Sequence, residues 1–528
     1  MDQNNNNFMD SRTLWAILLV GVVWFGWQQY VNKKYGNQII ASPEESIKAT
    51  NKAINLSNSN ISKSTIDEKI NTSPEKIFNF STSNIQGDLS SKGMSLKNVS
   101  LIKFKNKDGL PIQFSGGKDG LFSTTSSDQK IDFEISQLSQ NEFIGKAIFN
   151  NISLIKKIVF LDDYKINIET KIEAISGFIP PIEISIEDDM KKTEAGSIFS
   201  PANETQDLLV LNSDGNKEFN TSKEKDGFFA TINQATLAGI STHYFSAAFL
   251  DKSEISPNFV VNQKPLDSFL KGILAYKVGS ERKSFITKGV AYIGPKDIKI
   301  LESVDPLLLK VVKFGFFSAI AKPLLITMKW FFSLVGNWGW SIILLTLLVR
   351  IIVMPFHLMS FRSMKAMQKV QPMIQALREK LKDDPLTLNK EMMLLMKKNK
   401  VNPMGGCLPM LLQIPVFFAL YRVFSESIEL YQSPFIFWIH DLSIKDPYFV
   451  LPVLMASVMY LQQKITPSTM DPAQAKVMQF MPLIFSFMMI SLPSALTLYM
   501  FVSTFFGILQ QYLFLRDKPS VLAVNKPI

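Results

Sequence analysis

The chain is poor in the residues on which most chemistry depends. It has one cysteine, Cys407, so no intrachain disulfide can form. Its three histidines, His243, His357 and His440, stand without metal-ligand spacing around them. No phosphate loop of the GxxxxGK(S/T) type is present, so nothing marks an NTP-driven motor. Charged residues make up only 19% of the chain. The net charge of +10 is not gathered into one basic, aromatic-laced domain, which argues against nucleic-acid binding as the main role. Tryptophan is absent from the long middle stretch: all seven lie at 15, 24, 27, 330, 338, 340 and 438, in or beside apolar segments.

What the chain does have is hydrophobicity, at 46% of its 528 residues. Nineteen of the 23 methionines come after residue 320. The chain therefore reads as a composite of one apolar segment, a large polar domain and an apolar block. After a short N-tail (1–12), Thr13 to Val31 is long enough to cross a bilayer core. It lacks the short apolar stretch and A-x-A-like site of a cleaved signal peptide, so a retained anchor is the better reading. Residues 32–76 look like a linker rich in Ser, Asn and Lys. From 77 to 304 the pattern becomes that of strands. Every second residue is apolar in Tyr164, Ile166, Ile168 and again in Ile182, Ile184, Ile186. This predicts a β-sandwich large enough to bury its own core.

Between 305 and 335 an apolar segment is broken by Lys310, Lys313, Lys322, Pro323 and Lys329. Recurrent lysines suit an amphipathic helix lying in the membrane interface. Five spans follow: Trp338 to Pro355, Leu408 to Phe424, Tyr448 to Ile465, Val477 to Leu492, and Ser494 to Leu515. With the anchor they make six, which puts both termini on one side. The 357–403 loop carries ten lysines and arginines against four acids, whereas Glu426, Glu429, Asp441 and Asp446 face only Lys445 in the next loop. The excess of positive charge places that loop, both termini and the 516–528 tail in the cytoplasm. The charges around the first span point the other way and are outvoted.

Arg350 is the conspicuous residue of the second span. A charge near mid-span is unfavourable by about 2.5–3.5 kcal/mol on insertion scales. It therefore faces a polar cavity, or it snorkels toward the interface near Pro355; position alone leaves both open. Thr346 lies one turn back on the same face. Gln413, Ser503 and Gln510 could line the same cavity, although each alone suits an ordinary interhelical hydrogen bond. In the loop, Met367, Val370, Ile374, Leu377 and Leu381 follow a coiled-coil seam. Leu388, Met392 and Leu395 supply the returning arm of a helical hairpin. Its cations, among them Arg362, Lys365, Lys369, Arg378, Lys380, Lys382, Lys397 and Lys398, either are a solvated face or dock an acidic or RNA-rich partner.

Three segments together resemble one family: GNWGWSIILLTLLVRIIVMPF (336–356), NPMGGCLPMLLQIPVFFALY (402–421) and FWIHDLSIKDPYFVLPVLM (437–455). They are similar to the YidC/Oxa/Alb family of membrane-protein insertases, in order and over about 305–515. THYFSAAFL (242–250) and YIGPKD (292–297) resemble the periplasmic domain of its Gram-negative members. The resemblance implies a polytopic inner-membrane protein with a five-helix core (336–515) around a hydrophilic groove, and a periplasmic β-supersandwich without an enzymatic role. It implies that Arg350 is the groove arginine, lined by Thr346 and Gln413. The aromatic pair it implies in the sixth span is Tyr499-Met500 here. The implied partners are nascent membrane proteins, the Sec translocon with its accessory subunits, the ribosome, the signal recognition particle with its receptor, and the lipid bilayer. No cofactor is implied. A transporter using the same groove would show internal repeats, and none is seen. A sugar-acting enzyme would need paired carboxylates; Glu187, Asp188 and Asp189 are adjacent and expected to be solvated loop acids.

Overall fold

A computed structural model describes residues 74–106, 108–127, 129–190, 206–220, 227–264, 267–312, 315–382, 384–399, 408–465 and 472–516. The expected anchor at 13–31, nearly all of the linker and the tail beyond Arg516 lie outside the described residues.

The strand-like half forms nineteen strands in three antiparallel sheets among the described residues. The large sheet runs β13(Gly215–Asn220), β12(Asp207–Asn212), β15(Leu237–Ser241), β16(Phe245–Asp251), β19(Ser284–Pro295), β10(Lys165–Ala174), β9(Ile152–Phe160), β8(Glu142–Phe149), β7(Glu134–Ser139). A six-stranded sheet carries β11(Ile182–Asp189), flanked by β18(Phe269–Tyr276) and β5(Ser123–Ser126). A four-stranded sheet, β1(Ile77–Ser81) to β4(Pro111–Phe114), completes the set. The period of two survives intact: Ile166, Ile168 and Ile172 on β10 and Ile182, Ile184 and Ile186 on β11 all point into one core. Burial of such side chains stabilises by about 1.5–3 kcal/mol each.

Two polar features break that core. Lys156 on β9 is fully buried, and its Nζ donates to the carbonyls of Gly93 at 3.0 Å and Phe122 at 2.7 Å. Across the β9–β10 ladder stands Thr170, buried with its hydroxyl oxygen unbonded. Burial pulls the Lys156 ammonium down to about 7. An unfolded lysine titrates near 10.4, so between those values the unfolded chain holds one more proton than the folded one. Stability of this domain is therefore expected to rise from pH 7 to about pH 10. Lys156→Met should flatten that rise, read as Tm against pH, while removing the donor from the carbonyls of Gly93 and Phe122.

The second feature corrects an expectation. Glu187 and Asp188 are not solvated loop acids: both sit on β11 and are buried. They bind the backbone of a glycine turn. The Asp188 carboxylate accepts from Ser115 N at 2.8 Å and Gly116 N at 3.1 Å, and the Glu187 carboxylate from Lys118 N at 2.5 Å and Asp119 N at 3.1 Å. Gly117 has φ +55°, and a Cβ there would meet the Glu187 carboxylate. Burial would raise the Asp119 carboxyl, but bonds from Lys271 and Lys130 outweigh it and hold it at about 2. These acids fasten a turn.

The helical half begins where Asp297 caps α1(Ile298–Val304), accepting from Lys299 N at 2.7 Å. Two short 3₁₀ turns lead to α2(Ser318–Val335). Gly336, at φ +65°, ends α2, and Asn337 caps α3(Trp338–Lys380), accepting from Trp340 N at 3.2 Å. After α4(Pro385–Lys398) come α5(Leu408–Glu426), α6(Val450–Ile465), α7(Pro472–Met489) and α8(Ser494–Arg516). Among the described residues α2, α3 and α8 are long and apolar enough to cross a membrane, with α6 and part of α7 apolar but shorter. Helix α3 differs from expectation. Neither Pro355 nor Pro372 ends it, so the first arm of the hairpin is a continuation of the second span over 43 residues. Proline is tolerated in such helices where neighbouring groups satisfy the freed carbonyl.

The two halves touch through the 425–432 segment. The Ser425 carbonyl accepts from His243 Nε2, Tyr431 Oη donates to Lys105 O at 2.7 Å, and Gln432 Nε2 donates to the same carbonyl at 2.9 Å. Beside these contacts Lys329 of α2 pairs with Glu429 and lies 3.7 Å from Asp297. Burial pushes the Glu429 carboxyl up, against the pull of Lys329.

Candidate functional site

Helices α3, α5 and α8 pack against one another in the helical half. Their polar residues meet around Arg350. Its Nε donates to Ser503 Oγ at 2.9 Å, and its Nη1 lies 3.4 Å from His357 Nε2. A guanidinium has only donors, so the ring nitrogen it meets must be the unprotonated one. No carboxylate among the described residues lies within ion-pair distance of Arg350. Gly507 leaves room for the guanidinium: a Cβ there would stand 3.2 Å from Nη1.

Gln413 of α5 donates through Nε2 to the Tyr499 hydroxyl, which is buried within the helical core. Met500 packs half-buried against the same core. The Gln510 side-chain oxygen is buried with no hydrogen-bond partner. Tyr499, Ser503, Gly507 and Gln510 follow one another at helical spacing, so they form a polar stripe along one face of α8. Thr346 is buried too, but its hydroxyl donates to Ile342 O at 2.6 Å, one turn back in its own helix. The structure thus joins Arg350 to Ser503 and Gln413 to Tyr499, and leaves the Thr346 proton with its own backbone. Reasoning from sequence missed His357 and Gly507. His357 is seven residues after Arg350, two turns on the same face, which is a readable signal. Gly507 is readable only as the small member of the α8 stripe.

The hairpin is held by a small core of Met367, Val370 and Ile374 against Met392, Leu395 and Met396. Leu377, Leu381 and Leu388 are half-buried outside that core. Asp384 caps α4, accepting from Thr387 N at 3.1 Å. Arg362, Lys369, Lys380, Lys382, Lys397 and Lys398 are exposed, with Lys365 and Arg378 half-buried. Arg362, Lys365 and Lys369 share a cleft of about 370 Å³ with Asn399.

Comparison with known proteins places both halves. The model of the 60Kd inner membrane protein matches residues 330–520, and that of the YidC periplasmic domain matches 146–327. Membrane protein insertase YidC of Wolinella succinogenes is 38% identical over 364 residues, covering 68% of this chain and 64% of its own length. That of Campylobacter jejuni is 50% identical over 226 residues, 43% of each chain. The chain thus spans less than two thirds of the length of either relative. A crystal structure of active YidC insertase with the first transmembrane domain resolved superposes with a TM-score of 0.40 at 18% identity, covering 84% of this chain and 94% of that one.

Proposed function

Because this chain belongs to the YidC family, with a helical membrane region and a β-sandwich periplasmic domain, we propose that it inserts nascent proteins into the inner membrane through the polar site around Arg350. The observation that carries this reading is a guanidinium set in an apolar helix, hydrogen-bonded to Ser503, with no carboxylate among the described residues within ion-pair distance. Such a charge is available to an acidic group that arrives from outside. The unbonded oxygen of Gln510, one turn beyond Gly507 on α8, supports a wet site, since a buried acceptor without a partner is unfavourable unless water reaches it. In this reading the substrate's polar segment enters a groove open to the cytoplasm. Arg350 attracts its acidic residues, and water in the groove lowers the penalty for the other polar groups. The apolar span then moves into lipid along α5 and α7. Burial of apolar area, near 25 cal/mol per Å², drives that release. No covalent bond is made or broken. Six spans, cytoplasmic termini, an interfacial α2 and a hairpin that docks the ribosome or its targeting factors complete the proposal.

The test is reconstitution of the full chain in liposomes with a short single-span substrate that carries acidic residues before its span. A protease-protected fragment well above that of protein-free liposomes is expected. Equal protection with and without the protein would overturn the reading. Removing residues 77–300 should leave much of the activity, because every proposed groove residue lies in the helical half.

A further inference from the structure

Helices α6 and α7 leave a groove of about 740 Å³ that shares no lining residue with the Arg350 site. Phe449, Val453 and Tyr460 form one wall, and Phe480, Leu483 and Phe487 the other. All six side chains are exposed, Phe487 to 76%. The two serines of the lining keep their protons within the bundle: Ser457 Oγ donates to Val453 O at 3.0 Å, and Ser486 Oγ to Pro452 O, so of the lining hydroxyls only that of Tyr460, at the end nearest Lys464, is left for a polar group. With a lining otherwise of Phe, Pro, Val, Ala, Leu and Ile side chains, the body of the groove matches hydrocarbon. From Phe449 to Tyr460 the wall is about 16 Å long, close to one leaflet of a hydrocarbon core about 30 Å thick. An apolar slot of that length accepts one extended acyl chain lying along it.

The end of the groove has a charge. Lys464, one turn beyond Tyr460, holds its Nζ 4.9 Å from the centre of that ring. A cation kept beside an aromatic ring at the mouth of a hydrocarbon slot matches an anionic headgroup. We infer that the α6–α7 groove binds an acidic phospholipid, its acyl chain against Val453 and Phe487 and its headgroup at Lys464. The inference rests on these helices lying in a membrane, and not on the insertion mechanism.

The experiment is native mass spectrometry of the full chain released from liposomes of equimolar phosphatidylglycerol and phosphatidylcholine. The wild-type protein should retain phosphatidylglycerol about fivefold over phosphatidylcholine. Lys464→Gln should bring the ratio near one at unchanged total lipid. Val453→Trp, which fills the slot, should remove one retained lipid of either kind. A wild-type ratio of one, or a preference that survives Lys464→Gln, overturns the headgroup assignment. Undiminished lipid on Val453→Trp overturns the groove. None of these readouts depends on substrate insertion, so failure here and failure of the insertase reading are distinguishable.

Discussion

Arg350→Ala is expected to lower the insertion rate of a substrate with acidic residues before its span by about tenfold or more, while a neutral substrate stays within about twofold. Two unit charges 4 Å apart interact by about 4 kcal/mol at an effective dielectric constant of 20. Water in the proposed groove would reduce that figure, and about 1.4 kcal/mol already corresponds to tenfold. Arg350→Lys should keep more activity than Arg350→Ala, because attraction needs only a point charge. It should not restore it fully, since lysine cannot reproduce the fork that meets Ser503 and His357 together. The measurement is protease protection in liposomes with matched acidic and neutral substrates. If Arg350→Ala inserts both at the wild-type rate, the arginine does not attract substrate.

Glu429→Ala should produce the largest loss of stability. It removes one partner from the Lys329 pair at the junction of the two halves, where the side chains are 15% and 10% exposed. Breaking a buried pair one-sidedly is unfavourable by about 3–5 kcal/mol, because the other charge stays buried. Asp297 lies 3.7 Å from the same ammonium and takes up part of its charge, so the lower end of that range is expected. Lys329→Met together with Glu429→Leu should recover most of the loss, since no charge is then stranded. Thermal unfolding in detergent, followed by tryptophan emission, decides this: Trp330 and Trp438 flank the junction in sequence. A single variant as stable as the wild type would mean that water already reaches the pair.

The β domain was legible because period-two burial is a local property. Ile166, Ile168 and Ile172 announce a buried face wherever the strand is placed. Glu187 and Asp188 were not legible, because what satisfies them is a turn about seventy residues earlier in the chain. No pattern around residue 187 foretells that backbone amides will point at it. Arg350 was conspicuous for the same reason that Ile166 was: a charge among Leu347, Val349, Ile351 and Ile352 contradicts its surroundings. Its partners were partly hidden. Ser503 could be named as a polar residue of the sixth span, but its bond to Arg350 is visible only once α8 is laid beside α3, and glycine at 507 gains meaning only once a guanidinium passes over it. Thr346 illustrates the converse. Helical spacing put it on the right face, but a threonine hydroxyl inside a helix has a carbonyl four residues back within reach, and takes it. The span bound at Pro355 is not a helix end: the helix runs on through Pro355 and Pro372 to Lys380.

Helix α3 is continuous. Its 43 residues extend over about 64 Å at 1.5 Å per residue, from the Asn337 cap past Arg350 to the arm that carries Arg362, Lys365 and Lys369. The cationic arm and Arg350 therefore stand on one continuous helix. Pro355 and Pro372, each without an N–H to give to the carbonyl four residues back, are the two points between Asn337 and Lys380 at which that helix bends most readily. A protein that grips the arm could change how Arg350 is presented without ever reaching it.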